Sequence, residues 1–178
     1  MSRPNRARLG AVALAVACAI ALSACSQPGG GTAFEVAGEK MSLNQLADAG
    51  EACAAPLGVA KPVMDTAIRG LALQSLVGDA LAKQNGLTFS DAQVQQVLAN
   101  EDLAAANAVA DCAPVVQGAA KLLLAAAQLG NEETTKQLKA LDVQVNPRLG
   151  SWDADELALR NSNGSLSKVG PASLDSEG

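Results

Sequence analysis

Apolar residues recur at helical spacing along much of this chain. The clearest run begins at Pro62, which suits the first position of a helix, and continues to about Asn85. Gly86 is placed to end this helix in a left-handed conformation. The apolar residues at i, i+3, i+4, i+7 and i+8 are Leu73, Leu76, Val77, Ala80 and Leu81. The pattern predicts a long helix at the centre of the fold.

Two shorter helices begin with the same start signal. Ser42 is followed three residues later by Gln45, and Ser90 by Gln93, which is the spacing of a capping box. The first of these helices should hold Cys53 in its last turns.

The remaining helices are predicted in the alanine-rich part of the chain. Residues 102–129 are mostly Ala, Leu and Val, and Pro114 interrupts them, so we expect two helices or one kinked helix. Beyond Gly130, residues 131–138 predict a short last helix.

Two segments alternate between apolar and polar residues, as strands do. They are residues 33–37, near the start of the helical region, and residues 141–145, which Asn146 and Pro147 end. A single strand has no hydrogen-bonding partner, so we expect the two to pair. The predicted fold class is mainly α, with short N- and C-terminal β-strands paired together.

The first residues have the pattern of an export signal. Three arginines precede an uncharged run, Leu9–Leu22, which is too short to span a bilayer but has the length of a signal-peptide core. The stretch "LSAC" then leads into a Gly-rich segment. It resembles the lipobox of bacterial lipoproteins, which implies that Cys25 carries a diacylglyceryl group and anchors the chain to a membrane. The alternative is an unlipidated secretory signal with a nearby thiol.

These features divide the chain into four parts. Residues 1–24 are predicted to be a lipoprotein signal peptide and residues 25–32 a flexible tether. Residues 33–153 should form one helical domain. Residues 154–178 are rich in Ser, Gly, Asn and charge, which predicts a disordered tail.

Removal of the signal makes the chain more acidic. It contains three of the 13 basic residues and none of the 18 acidic ones, so the mature chain has 10 basic residues and a net charge of −8. This charge argues against binding nucleic acid or anionic lipid through a basic patch.

The four cysteines have different expected fates. Cys18 leaves with the signal and Cys25 is the proposed lipid attachment point, so Cys53 and Cys112 remain as a pair in an oxidising compartment. We expect them to form a disulfide, which for a loop of this length is worth about 4 kcal/mol in the chain-entropy model. The rival, a zinc site, lacks ligands, because the chain has no histidine.

The absence of histidine also limits which catalytic and metal sites the chain can contain. Nucleophilic triads and His metal clusters are excluded, and the carboxylates of the predicted helices lie mostly on polar faces. No dinucleotide or phosphate-binding glycine motif is present. We therefore expect no enzyme activity, no cofactor and no metal.

Three stretches, "FEVAGEKMSLNQL", "NGLTFSDAQVQQVL" and "VQVNPRLGSWD", together resemble the SurA-type N-terminal chaperone domain of exported peptidyl-prolyl isomerases. The resemblance spans residues 33–153 and is greater to small actinobacterial lipoproteins with that domain. It implies a helical domain with its end strands paired, which binds extended or unfolded polypeptides. The isomerase activity of that family belongs to a separate parvulin domain, for which this chain has no room.

The implied function is a lipid-anchored, non-catalytic, chaperone-like module for exported polypeptides. The resemblance favours the outer face of the cytoplasmic membrane, whereas Ser26 would permit an outer membrane in a Gram-negative cell. The alternative function is a structural or adaptor lipoprotein that docks one folded envelope partner. A concave groove would favour the chaperone, and a flat apolar patch the adaptor.

Two groups of residues are candidates for a surface that binds a peptide or a partner. Met64, Ile68 and Leu71 widen the apolar stripe of the long helix, and Arg148 and Trp152 follow the last strand. For Trp152 two roles are open: it packs over the end of the domain as a structural plug, or it lines the site for a client or partner.

Overall fold

A computed structural model describes residues 30–160. The predicted signal peptide, Cys25 and all of the tail beyond Arg160 lie outside these residues.

Most of the described chain is helical, as predicted. The helices are α1 (Leu43–Ala54), α2 (Lys61–Gln84), α3 (Asp91–Asn100), α4 (Ala104–Asn107), α5 (Ala113–Leu129) and α6 (Asn131–Ala140). The strands are β1 (Thr32–Val36), β2 (Glu39–Ser42), β3 (Val143–Val145), β4 (Ser151–Asp153) and β5 (Ala158–Arg160).

The first and last predicted strands meet. β1 pairs antiparallel with β3, so that Phe34 lies opposite Val145, and β2 completes a three-stranded sheet on the other side of β1. The turn between β1 and β2 is Ala37-Gly38, and both residues have positive φ, 49° and 88°. A two-residue hairpin turn of this kind matches the twist of the strands it joins.

The predicted helix starts are present at α1 and α3. The Ser42 hydroxyl accepts a hydrogen bond from the Gln45 N–H at 3.1 Å, and the Ser42 N–H donates to Gln45 Oε1 at 2.8 Å. Ser90 and Gln93 repeat both bonds. Each box satisfies backbone donors that the first turn of a helix leaves without partners.

The end of α2 also follows the sequence. Gly86 has φ 62°, its N–H donates to the Lys83 carbonyl, and the Leu87 N–H donates to the Ala82 carbonyl at 2.9 Å. These two bonds define a Schellman motif. At the other end, Pro62 is the second residue of α2 rather than the first.

The core is built around the contact between α2 and α5. The two helices meet at Gly78 and Gly118, and the Ser75 hydroxyl donates to the Pro114 carbonyl at 3.2 Å. A methyl group on Gly78 would lie 2.7 Å from the Leu122 nitrogen, and one on Gly118 would lie 2.8 Å from the Ser75 Cα. Small residues therefore let the two backbones approach closely.

The domain extends further than predicted. β4 and β5 form an antiparallel hairpin in which Arg160 lies opposite Ser151 and Leu159 opposite Trp152. The predicted boundary at Asp153 and the predicted disorder of residues 154–160 are therefore wrong. The physical reason is that Trp152 and Leu159 bury apolar surface against the core. The charged composition of this segment did not predict that burial.

Candidate functional site

Two of the predicted surface residues belong to the core. Met64 is 2% exposed and Ile68 is 3% exposed, because α1 covers this side of α2. The contact is close at Gly50 of α1, where an added methyl carbon would lie 3.4 Å from Ile68 Cγ2. The prediction that Met64 and Ile68 form a binding surface is wrong: both side chains stabilise the packing of α1 on α2.

The other three predicted surface residues lie in different environments. Leu71 is half-buried and packs against the core, and the exposed Arg148 donates its backbone N–H to Asn146 Oδ1 at 3.1 Å. Of the predicted surface residues, Trp152 is the one that lines the pocket described next.

A pocket of about 340 Å³ lies between the helical body and the β4–β5 hairpin. Its lining is almost entirely apolar and carries no ionisable side chain. The helices contribute Gly70, Leu73, Gln74, Val77, Leu122 and Leu138, and the hairpin contributes Trp152, Leu157, Ala158 and Leu159. The pocket can therefore take an apolar group, and its lining offers no acid or base for catalysis.

Trp152 forms the aromatic part of the wall. Its indole nitrogen is buried and has no hydrogen-bond partner among residues 30–160. Buried tryptophan N–H groups usually find an acceptor, and a buried donor without one costs about 1–3 kcal/mol. Leu159 faces Trp152 across the hairpin, so the two pocket residues also form a cross-strand pair.

The turn of the hairpin is organised by Asp153. Its Oδ1 accepts hydrogen bonds from the N–H groups of Asp155 and Glu156, at 2.9 and 3.0 Å, and its Oδ2 pairs with Arg160 Nε at 2.7 Å. Donation from Glu156 is the main cause that lowers the pKa of the Asp153 carboxyl, and Arg160 lowers it further. Leu157, which follows this turn, has a left-handed backbone with φ 52°.

A buried asparagine connects the hairpin to the first sheet. Asn146, 5% exposed, donates from Nδ2 to the Thr32 carbonyl at 2.7 Å and from its backbone N–H to the Ala33 carbonyl at 2.9 Å. The segment Asn146–Trp152 is thus fixed to β1 at one end and reaches the pocket at the other.

The structure places Cys53 and Cys112 at disulfide distance, with their Cα atoms 5.1 Å apart. Both are fully buried. The bond joins the last turn of α1 to the residue before α5, so it ties together the two elements that pack on α2.

The titratable groups with shifted pKa values outside the hairpin are the exposed Glu39 and Lys83 and the half-buried Glu133, and all three have local partners. Lys83, at 2.6 Å, lowers the pKa of Glu39 and has its own pKa raised in return. Gln137 and Lys136 lower the pKa of Glu133. In the described part of the chain, no group of three His, Cys, Asp or Glu residues is arranged to hold a metal ion.

Comparisons with protein-family models, with curated proteins and with solved structures find no match for this chain. The similarity to SurA-type domains therefore stays a prediction. Within residues 30–160, no helix combines the length and apolar character needed to cross a membrane.

The sequence contains a signal for the hairpin that composition alone does not reveal. Trp152 is followed by the acidic residues Asp153, Asp155 and Glu156 and then by the apolar residues Leu157, Ala158 and Leu159. Polar turn residues between apolar segments are typical of a hairpin. The helical residues of the pocket carry no such signal, because Leu73, Leu122 and Leu138 have the spacing of ordinary core positions.

Proposed function

We propose that this protein is a non-catalytic module that binds extended or unfolded segments of exported polypeptides at the cell envelope. A lipid on Cys25 anchors it, at the outer face of the cytoplasmic membrane. The observation that carries the proposal is the apolar pocket between the β4–β5 hairpin and helices α2, α5 and α6.

The size and lining of the pocket suit a polypeptide. Its volume lies at the small end of the range of about 300–1,000 Å³ typical of ligand sites, which leaves room for the apolar side chains of a short segment rather than for a large cofactor. The lining offers Leu, Val and Trp side chains without charge. Such a surface selects for apolar character and makes few demands on sequence, as a binder of unfolded chains requires.

The adaptor alternative lacks a comparable surface in the described part of the chain. Among residues 30–160 the exposed large apolar side chains are Val63, 60% exposed, and Leu123, 47% exposed, on different helices. Single exposed apolar residues are ordinary on a soluble surface, whereas docking of a folded partner usually uses a continuous patch. The concave pocket therefore favours the polypeptide-binding function.

The test is suppression of aggregation of an unrelated unfolded protein by residues 26–178. Leu159→Gln places an amide in the pocket wall, and Val63→Gln makes the same kind of change at an exposed position outside the pocket. We expect the unaltered chain and Val63→Gln to suppress aggregation at equal molar ratio, and Leu159→Gln to lose the effect while its circular dichroism stays helical.

Two results would count against the proposal in different ways. If the unaltered chain leaves aggregation unchanged at equal or greater molar ratio, the module is not a general binder of unfolded polypeptides. If Leu159→Gln suppresses aggregation as well as the unaltered chain, binding takes place on another surface.

The anchor is tested separately. Growth with a radiolabelled fatty acid should label the protein, and Cys25→Ala should abolish the label and release the chain from the membrane fraction. Label that persists in Cys25→Ala would contradict the lipobox interpretation.

A further inference from the structure

We infer that the β4–β5 hairpin is a movable wall of the pocket, and that the segment it admits is an uncharged stretch of polypeptide whose backbone carbonyl accepts a hydrogen bond from the Trp152 indole N–H. The inference rests on the proposed function and adds the chemistry of the ligand and the means of entry.

The unpaired indole donor is the first observation. The Trp152 nitrogen is out of reach of water and has no acceptor among residues 30–160, although its side chain lines the pocket. A buried donor without a partner destabilises the arrangement that buries it. Outward movement of the hairpin would uncover the nitrogen, and an occupant with a carbonyl oxygen would then remove this cost, which a purely hydrocarbon occupant cannot do.

The second observation is the backbone of Leu157, which lines the same pocket. Its φ of 52° places a large side chain in the left-handed region, which residues other than glycine rarely occupy. Ala37 and Asp102 have similar φ values, but of the three Leu157 is the residue that lines the pocket, and backbone strain is often stored at functional sites. Both unfavourable features thus lie in one hairpin of residues 151–160.

The third observation is how the hairpin is held. Its shortest polar contacts are internal, between Asp153, Glu156 and Arg160 at 2.7–3.0 Å. The ion pair that joins it to the helices, Lys139 with Asp155, is exposed and longer, 3.5 Å. Exposed ion pairs of this kind contribute little to stability. The hairpin can therefore move outward with its internal bonds intact, at the cost of the apolar contacts that Trp152 and Leu159 make with the core.

Charge decides which acceptor fits. The pocket lining carries no ionisable side chain, so no cation there would compensate the lost hydration of a buried carboxylate. A fatty-acid carboxylate or a free chain terminus is therefore disfavoured, whereas an internal peptide carbonyl is a neutral acceptor. The complementary ligand is an extended, uncharged segment with aliphatic side chains.

The experiment uses the mature chain, residues 25–178, in detergent. The chain contains a single tryptophan and no tyrosine, so a tryptophan auxotroph can replace Trp152 alone by benzothienylalanine. This analogue keeps the ring shape and exchanges the N–H for sulfur. The probe is a nine-residue, Leu- and Ala-containing peptide, acetylated and amidated, and calorimetry measures its affinity.

We expect benzothienylalanine to weaken peptide binding about three- to tenfold, as for loss of one hydrogen bond. The melting temperature of the free chain should not fall, because the lost N–H had no partner. Unchanged affinity, or a lower melting temperature without peptide, would overturn the role of the donor. Decanoate that binds as tightly as the peptide would overturn the choice of a neutral carbonyl.

Hydrogen exchange tests the movement. We expect the amides of β4 and β5 to exchange faster than those of β1 and β3 in the free chain, and to slow when the peptide is present. Equal protection of the two sheets in the free chain would overturn the movable wall, and so would a dimer of the free chain that Leu159→Gln dissociates, because a second copy would then cover the pocket.

Failure of the proposed function itself is recognised independently. In that case the unaltered chain, with its tryptophan intact, binds neither the peptide nor unfolded protein. Failure of this inference alone leaves peptide binding intact in the unaltered chain and abolished in Leu159→Gln, with no effect of benzothienylalanine.

Discussion

Replacing Gly78 by alanine tests the closest helix contact of the core. The added methyl carbon would lie 2.7 Å from the Leu122 nitrogen, a separation that forces backbone to move. Overpacking of this kind costs about 1–3 kcal/mol, and the backbone contact places it near the upper value. Alanine also returns about 1 kcal/mol through its helix propensity. The net loss should be about 2 kcal/mol, which lowers the melting temperature by about 4–8 °C for a chain of this size.

Gly70→Ala is the matched control in the same helix. A methyl group on Gly70 would meet nothing within 4 Å, so only the propensity gain remains, and we expect this variant to be more stable than the unaltered chain by about 0.5–1 kcal/mol. Urea unfolding without reductant, followed by circular dichroism, measures both. A Gly78→Ala variant as stable as Gly70→Ala would refute the close approach of α2 and α5.

Three further predictions concern the ends of the fold, the cysteines and pH. Asn146→Ala removes the hydrogen bond to the Thr32 carbonyl, and urea unfolding should show a free energy of unfolding lower by about 1–3 kcal/mol. A decrease below about 0.5 kcal/mol would contradict the role of this amide. Reduction of the Cys53–Cys112 bond should cost about 4 kcal/mol in the same assay, and mass spectrometry of unreduced peptides should find the two cysteines joined; free thiols at both would refute the pairing. Because the folded-state pKa of Asp153 is lowered, its contribution to stability is present above the ordinary carboxyl pKa of about 4 and is lost as pH falls through the folded-state value. Asp153→Asn should therefore be less stable than the unaltered chain at pH 7 and equal to it near pH 2; a difference that does not change with pH would show that the charge is not involved.

Much of the fold could be predicted because its signals are local. The hydrogen bonds of the Ser42 and Ser90 capping boxes join residues three apart, and those of the Schellman motif at Gly86 join residues up to five apart. These signals therefore do not depend on what the helix packs against. The pairing of β1 with β3 was predictable for a different reason. A strand needs a hydrogen-bonding partner, and residues 33–37 and 141–145 were the two segments with a strand-like alternation.

The site was less predictable because it depends on which apolar surface stays uncovered. α2 is apolar on most of its circumference, so the sequence could not tell that α1 would cover Met64 and Ile68 while Leu73 would face a pocket. Trp152 was a candidate because large aromatics are rare in this chain. Its partners across the pocket come from α2, α5 and α6, and α2 is distant from Trp152 in sequence. Periodicity carries no information about such distant contacts.

The sequence by itself determined the starts of α1 and α3 and the end of α2, and it predicted that Cys53 and Cys112 pair. These follow from chemistry within a few residues or from simple counting. Only the tertiary structure decided that residues 154–160 fold back beside Trp152, that Gly78 and Gly118 meet, and that a pocket remains between hairpin and helices. The reason is physical: burial is a property of surfaces brought together from distant parts of the chain, and no local pattern specifies which of them meet.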